Sequence, residues 1–254
     1  GGLGEAERVL RGAVQLRPAH APALSNLALT LLHKHQHHQG GGEGDSGEAL
    51  ELLDKAVDLA PRSVATLSLY ASALAAAKQL LPAHAAYLRA IELGHKDWTP
   101  EAFAHMLVGY GTLLEDMAGD TQGAAAAYDH ALSLHPASPG ASWRRGQLKW
   151  LWEDDAEGGE ALLRAALASA PDHPDALPRL AMLLSDERAQ HAEAEALLLR
   201  ALAAHPANLL ALQVYGEMLS DRGDAPAATA LLLHAQALHP DLHPPLPPPD
   251  TVDV

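Results

Sequence analysis

Apolar residues recur along most of the chain at intervals of three and four residues, the spacing that places them on one face of an α-helix. Segments of two kinds alternate along the sequence. The first kind carries a small residue in the middle of its apolar face, as in Leu24, Leu27, Ala28 and Leu31. The second kind carries Ala, then Leu or Tyr, then Ala at twelve, eight and five residues before a closing proline, as before Pro61. This alternation predicts an all-α chain built from pairs of helices.

The second kind of segment occurs seven times, which makes the chain an internal repeat. One copy ends in a histidine and another begins with a glycine, and the closing residues are Pro18, Pro61, His95, Pro136, Pro171, Pro206 and Pro240. They lie 43, 34, 41, 35, 35 and 34 residues apart. The spacing predicts a basic period of 34 residues, with extra residues in the first and third intervals.

The small residue in the first segment marks a point where a neighbouring helix backbone comes close, and the proline ends the second helix. Two helices, a 34-residue period and these residue types resemble the tetratricopeptide repeat. The segments at 24–28 and 212–216 are also similar to those of plant-type members. The resemblance implies a right-handed α-solenoid superhelix that binds partner segments in a concave groove lined by the first helix of each pair.

We divide the chain into a repeat array, residues 1–241, and a proline-rich tail, residues 242–254. The array begins with a half repeat at 1–20. Six repeats follow at 21–63, 64–103, 104–138, 139–173, 174–208 and 209–241, and the first of them contains a low-complexity insertion at 33–47. A repeat cannot bury its apolar face alone. We therefore expect a fragment of a longer array, or an array whose uncapped ends bind a partner or self-associate.

The charge balance narrows the class of partner. The 254 residues carry a formal net charge of −15 and contain no cysteine. An acidic surface argues against nucleic acid, and the absence of cysteine excludes disulfides and thiolate metal sites. No apolar stretch is long enough to span a membrane and no secretory signal is visible. These features predict a soluble, intracellular, cytoplasmic protein.

The resemblance places specific residues on the groove. By register these are Ser25, Leu29, Ser68, Ser72, Val108, Thr112, Glu115, Trp143, Gln147, Trp150, Met182, Ser185, Gln213, Glu217 and Ser220. We select as candidate partner-binding residues Trp143, Gln147, Trp150, Thr112, Glu115, Gln213 and Glu217. The groove is predicted to be acidic toward its C-terminal half, which favours a basic or amphipathic partner segment. The two tryptophans are either core residues or exposed binding anchors.

Nothing in the sequence forms a recognisable catalytic constellation, and no cofactor is expected. His33 and His37 are four residues apart and are weak candidates for a metal site, although a solvated loop is the simpler interpretation. The tail is either a polyproline II ligand or a linker. We expect a non-catalytic protein-interaction scaffold. The alternatives are a substrate-presenting repeat region of a larger enzyme such as a glycosyltransferase, and a helical-repeat RNA-processing factor.

Overall fold

A computed structural model describes residues 2–37, 43–94 and 98–238. These residues form helices and connecting turns without a strand, which confirms the predicted all-α repeat fold. The helices are α1 (Gly2–Leu16), α2 (Ala21–His37), α3 (Glu43–Leu59), α4 (Val64–Ala76), α5 (Leu80–Leu93), α6 (Pro100–Ala118), α7 (Thr121–Leu134), α8 (Pro139–Trp152), α9 (Ala156–Ser169), α10 (Ala176–Arg188), α11 (His191–Ala204), α12 (Leu209–Asp221) and α13 (Ala225–Leu238).

The chain divides into two compact units, an N-terminal unit (Gly1–Pro136) and a C-terminal unit (Ala137–Val254). In the N-terminal unit α1 packs on α2, and the pairs α2/α3, α4/α5 and α6/α7 follow. The C-terminal unit contains the pairs α8/α9, α10/α11 and α12/α13. Contacts are most extensive within a pair, and each pair also packs on the next pair of its unit. The first helices of consecutive pairs within a unit therefore touch one another.

The structure places helices across two of the predicted boundaries. The insertion at 33–47 is helical at both ends, because α2 continues to His37 and α3 begins at Glu43, while residues 38–42 lie outside the described structure. Lysine and glutamine are good helix formers and histidine is a moderate one, so the polar composition did not end α2. The boundary after residue 103 falls inside α6, which begins at Pro100. Thr99 caps this helix by accepting a hydrogen bond from Ala102 N–H, and proline is favoured at a first helical position.

The residue two positions after a closing proline caps the next first helix. Ser63, Ser138 and Asn208 each accept a hydrogen bond from the backbone N–H three residues later. His20 and His173 do the same through Nδ1. Each cap satisfies an N–H that the helix itself leaves unpaired. The turn that ends one repeat thus also begins the following one.

Small residues hold the two helices of a pair together. A Cβ atom on Gly146 would lie 2.9 Å from the carbonyl oxygen of Gly159, and a Cβ atom on Gly159 would lie 2.9 Å from the carbonyl oxygen of Gly146. A Cβ atom on Gly111 would lie within 3.0 Å of three atoms of the Tyr128 ring, which is fully buried. At the equivalent place in α2, Ala28 has no exposed surface. The prediction of a close helix approach at these positions is confirmed.

We predict that Gly111→Ala destabilises the protein. Overpacking a dense core typically costs about 1–3 kcal/mol, and the Tyr128 ring that the new methyl would meet is fully buried. Urea unfolding followed by far-UV circular dichroism measures the change.

The matched control is Gly12→Ala in the same unit, where a Cβ atom would meet nothing within 4 Å. Alanine is favoured over glycine inside a helix by about 0.5–1 kcal/mol, so this variant should be neutral or stabilised. Equal free energies of unfolding for the two variants would refute the packing argument.

Candidate partner-binding faces

The first helices of the N-terminal unit form a groove of about 480 Å³. Its lining comes from α2, α4 and α6 and from the residues just before α4 and α6, and contains no aspartate, glutamate, lysine or arginine: Pro22, Ser25, Asn26, Leu29, Ser63, Ala65, Thr66, Ser68, Leu69, Ser72, Trp98, Ala102 and His105. Four of these residues, Ser25, Leu29, Ser68 and Ser72, belong to the set that the repeat register assigned to the groove. The structure brings them together on one surface.

The hydroxyl groups of this groove differ in their partners. Ser72 Oγ shares a hydrogen bond of 2.9 Å with the hydroxyl of Tyr87, and Thr66 Oγ1 donates to Ser63 Oγ at 2.9 Å. Ser25 is only 9% exposed, and its buried Oγ has no hydrogen-bond partner among the described residues. A buried hydroxyl without a partner is costly. This leaves Ser25 with hydrogen-bonding capacity that the fold does not use.

Tyr87 lies on α5 and contacts the groove residue Ser72 through its hydroxyl. Its side chain is 1% exposed, and burial raises the pKa of its phenol. The phenol therefore stays protonated at neutral pH and keeps its hydrogen bond with Ser72. A Cβ atom on Gly109 would lie 2.7 Å from the Tyr87 hydroxyl, so a larger residue at that position of α6 would require the tyrosine hydroxyl to shift.

Thr112 and Glu115 lie on α6 but are not among the residues that line this groove. Thr112 Oγ1 donates to the carbonyl of Val108 in its own helix at 3.0 Å. Glu115 accepts a hydrogen bond from the hydroxyl of Tyr128 at 3.2 Å. Both side chains are half-buried and already have contacts within the unit.

In the C-terminal unit the structure places both candidate tryptophans in the core. Trp143 and Trp150 are 5% and 9% exposed and belong to one hydrophobic cluster that also contains residues of α9 to α12. Trp150 Nε1 donates to Glu187 at 3.1 Å. This arrangement corresponds to the packing interpretation of the two residues and not to exposed anchors. The indoles are buried because the apolar side of α8 packs on α9 and α10.

Two arginines, one on α8 and one on α10, contact the ring of Trp143. The guanidinium carbons of Arg144 and Arg179 lie 4.4 and 4.3 Å from the centre of its ring, within cation–π range. Arg179 also donates to Gln147 Oε1 at 2.8 Å and to Asp175. The predicted site residue Gln147 is thus engaged by an arginine that the sequence analysis did not select. Arg179 lies on α10, two helices after Trp143 on α8, so no local sequence pattern pointed to this contact.

Carboxylates lie near the C-terminal ends of α10 and α12. Burial raises the pKa of Asp186, and the negative charges of Glu187 and Asp221 raise it further. The carboxylates of Glu187 and Asp221 therefore lie close enough to Asp186 to disfavour its negative charge. On α12, Glu217 is exposed and Gln213 is half-buried. The C-terminal unit carries arginines near the start of α8 and α10 and carboxylates near the end of α10 and α12.

Other arginines of this unit pair with carboxylates of neighbouring helices. Arg164 contacts Glu193 at 2.8 Å, and Arg222 contacts Glu195 at 2.7 Å. Each of these side chains is partly exposed, so each pair adds little to stability. Their charges are compensated locally and offset little of the carboxylate charge at the end of α10 and α12.

The metal hypothesis stays untested. His33 is exposed on α2, whereas the side chain of His37 lies outside the described residues. In the part of the chain that the structure describes, no group of three or more histidine and carboxylate side chains is arranged to hold a metal ion. The described helices likewise include none with the length and hydropathy needed to cross a bilayer.

Comparison with solved structures identifies the fold. A tetratricopeptide repeat protein from Parabacteroides merdae has 18% sequence identity and a TM-score of 0.67, covering 93% of this chain and 87% of that one. YrrB, described as a TPR protein with an unusual peptide-binding site, has 17% identity and a TM-score of 0.55, covering 82% and 97%. The APC/C hetero-tetramer Cut9–Hcn1 has 12% identity and a TM-score of 0.78, covering 94% of this chain but only 44% of the other.

These likenesses show that the chain has the fold of tetratricopeptide-repeat proteins, as the sequence resemblance predicted. No protein-family model matches the sequence, and no curated protein matches it. The repeat is therefore recognisable in the three-dimensional structure and in the spacing of a few residue types.

We predict that His173 makes stability depend on pH. Burial lowers the pKa of its imidazole, and Arg179 and Arg144 lower it further against the opposing effect of Asp175. Its Nδ1 also accepts backbone hydrogen bonds, which protonation of that atom would remove. As the pH falls through about 6.5, the unfolded chain takes up the proton before the folded chain does. The stabilising contribution is therefore complete above that pH and is lost below it.

The test is the substitution His173→Asn, which keeps a capping acceptor, as Asn208 does in the next repeat, and removes the titrating group. The free energy of unfolding should fall less between about pH 7.5 and about pH 5.5 in the variant than in the wild-type protein. An equal fall in both proteins would contradict the role of His173.

Proposed function

We propose that the protein is a non-catalytic scaffold that binds segments of partner proteins on the first helices of its repeats. The observation that carries the proposal is the groove of the N-terminal unit, whose lining comes from three consecutive repeats. A groove of this kind offers a continuous surface to an extended segment and no group arranged for chemistry. The fold supports the proposal, since YrrB is described as having a peptide-binding site.

The groove residues favour recognition of a polypeptide backbone. Serine hydroxyls and the amide of Asn26 can both donate and accept hydrogen bonds, so they match the alternating groups of an extended chain. Leu29 and Leu69 line the same groove and provide apolar contact. Small side chains such as Ser68 leave the backbone of a ligand free to approach the helices.

On the C-terminal unit we propose that the carboxylates near the end of α10 and α12 attract a basic or amphipathic segment. Asp186 and Asp221 lie close enough for their charges to repel, and like charges held close together gain from a cation placed between them. Glu217 adds an exposed carboxylate on α12. Gln213 lies one helical turn before Glu217 and completes this candidate surface. Glu115 and Thr112 remain candidates on α6 of the N-terminal unit.

Exposed apolar side chains support a further expectation, self-association through the first and last helices described. Leu16 is 86% exposed on α1, and Leu233 is 49% exposed on α13. A second repeat packed on either helix would cover them. This expectation stays a prediction, as does the alternative that the chain presents substrates to an enzyme of which it is part.

The test uses ten-residue peptides displayed on phage and selected on the full chain. Ser68→Arg places a long cation in the groove, so peptides that bind there should lose affinity by about tenfold or more, which is about 1.4 kcal/mol. Fluorescence polarisation of the selected peptides gives the dissociation constants. The tryptophans are avoided, because truncating a buried Trp143 would cost about 3–5 kcal/mol of stability.

The matched control is Ser133→Arg, the same substitution at an exposed position on α7 that does not line the groove. It should leave the affinities at the wild-type value. Circular dichroism verifies that both variants fold. Selected peptides that bind both variants and the wild type equally well would overturn the proposed groove.

A further inference from the structure

α1 is a second helix whose paired first helix is not among the described residues. The only described helix that packs on it is α2, which belongs to the following pair. In each of the next five second helices the residues twelve and five positions before the closing residue are buried, as Ala49 and Ala56 are in α3. The corresponding residues Ala6 and Ala13 are only half-buried, and α1 contains no buried residue. One face of α1 is therefore open.

α13 shows that this burial comes from the first helix of the same pair. No described helix follows α13, and the proline-rich tail lies outside the described residues. Ala228 and Ala235 hold the places of Ala6 and Ala13 and are buried, although α12 is the only described helix that packs on α13. α1 has the opposite neighbours, since a pair follows it but no described first helix belongs to it. The neighbour that α1 lacks is therefore a first helix.

The open face of α1 is apolar and borders an opening between α1 and α2. Val9 is 62% exposed, whereas Leu52 at the same place of α3 is buried. The opening has a volume of about 390 Å³, and apolar residues of both helices line it, among them Leu10, Leu16 and Ala23. An apolar face of a repeat helix is normally covered by another helix of the stack.

The opening continues the row of first helices in the N-terminal unit. In that row α2 packs on α4, and α4 packs on α6. Pro22 and Asn26 line both the opening and the groove, so the two lie side by side on α2. A helix in the opening would contact α1 and α2 in the way that α2 contacts α3 and α4, and it would lengthen the groove by one helix.

The first helices share a pattern that identifies what fits the opening. A leucine is followed after three residues by leucine or tyrosine, next by alanine or glycine, and after three more by leucine. The pattern begins at Leu24, Leu67, Leu107, Leu177 and Leu212. A Cβ atom on Gly216 would lie 3.1 Å from the side chain of Leu232 and 3.8 Å from the carbonyl oxygen of Ala228. Leu10 and Ala6 hold these two places in α1, so the occupant needs a small residue facing them.

Arg17 adds an electrostatic requirement. It lines the opening and is exposed, and its side chain forms no hydrogen bond or ion pair within the part of the chain that the structure describes. The same place in α11 is held by His205, whose Nε2 lies 3.0 Å from the carbonyl oxygen of Asp172 in the turn before α10. Arg17 would therefore face the residues just before the occupant helix. A carboxylate there would pair with Arg17 and be favoured by the helix dipole.

We infer that α1 and α2 bind a single amphipathic helix of a partner protein, with this pattern of leucines around a small residue and a carboxylate just before its first turn. The bound helix runs antiparallel to α1, as in the pairs α6/α7 and α8/α9, whose helices are joined by two and three residues. A second copy of this chain is not the source, because each of its described first helices is already packed in a pair. The helix site is distinct from the groove of the proposed function and takes a folded ligand in place of an extended one.

The experiment titrates the full chain into a fluorescein-labelled peptide that represents the partner helix. The peptide copies residues 172–188 of this protein, which contain the pattern from Leu177 to Leu184 and the carboxylates of Asp172 and Asp175. Fluorescence polarisation should show saturable binding. Far-UV circular dichroism of the mixture should show more helix than the sum of its components, because the peptide folds on the site.

Paired variants locate the bound peptide. Ala6→Arg should weaken binding by about tenfold or more, since the arginine occupies the space of the docked helix. Ala126→Arg, at an exposed position of α7, and Ser68→Arg in the groove should leave the affinity unchanged. In the peptide, Ala181→Leu should weaken binding to a similar extent, whereas Glu187→Leu should not, because Glu187 is exposed in α10.

A charge exchange tests the role of Arg17. Arg17→Glu should weaken binding of the original peptide. A peptide that carries both Asp172→Lys and Asp175→Lys should bind the Arg17→Glu variant more tightly than it binds the wild-type chain.

Absence of binding up to about 1 mM peptide, or binding that is insensitive to Ala6→Arg, would overturn the inference. Binding lost with Ser68→Arg would also overturn it and would place the peptide in the groove. Size-exclusion chromatography with light scattering tests the other occupant: a dimer that Ala6→Arg dissociates would show that a second copy covers α1. Circular dichroism verifies that each variant folds. Peptides selected for the groove do not depend on Ala6, so the proposed function is tested separately.

Discussion

Close contact between the two helices of a pair is the constraint on which the rest of the structure depends. Where Gly146 faces Gly159, each residue lies so near the other's carbonyl that a single methyl group would not fit. Such an approach fixes both the distance between the helices and their rotation about their own axes. Rotation determines which side chains point inward, so the contact that stabilises a pair also selects the residues that remain for binding.

The groove of the N-terminal unit follows from this selection. Ala28 is fully buried at the contact of α2, which turns Ser25 and Leu29 toward the groove. On α4 the fully buried residue is Ala71, and Ser68 and Ser72 take the same places relative to it. Serine there leaves the groove open, whereas a large side chain would fill it. The uncharged surface is thus a consequence of the repeat register combined with small polar residues.

The repeat and its register were predictable because they depend on contacts between residues close in sequence. The period, the small residues and the groove positions Ser25 and Ser68 all follow from spacing alone. The burial of Trp143 and Trp150 was not predictable in this way, because it depends on how α8 meets two other helices. The contact of Arg179 with Trp143 was not predictable for the same reason, since it joins different repeats. The end of α2 and the start of α3 were not predictable in this way, because the polar composition of residues 33–47 is equally typical of a loop.

Net charge describes this protein poorly at the scale of a binding site. The chain carries −15 overall, yet the groove on α2, α4 and α6 has no charged lining residue, and Trp143 is flanked by two guanidinium groups. Salt screens charges more than about 8–10 Å apart, so a bound segment responds to the nearest groups and little to the total. Asp186 and its acidic neighbours therefore act on a segment bound within a few ångströms of them. Each face has to be assigned its own class of partner from the side chains within a few ångströms of it.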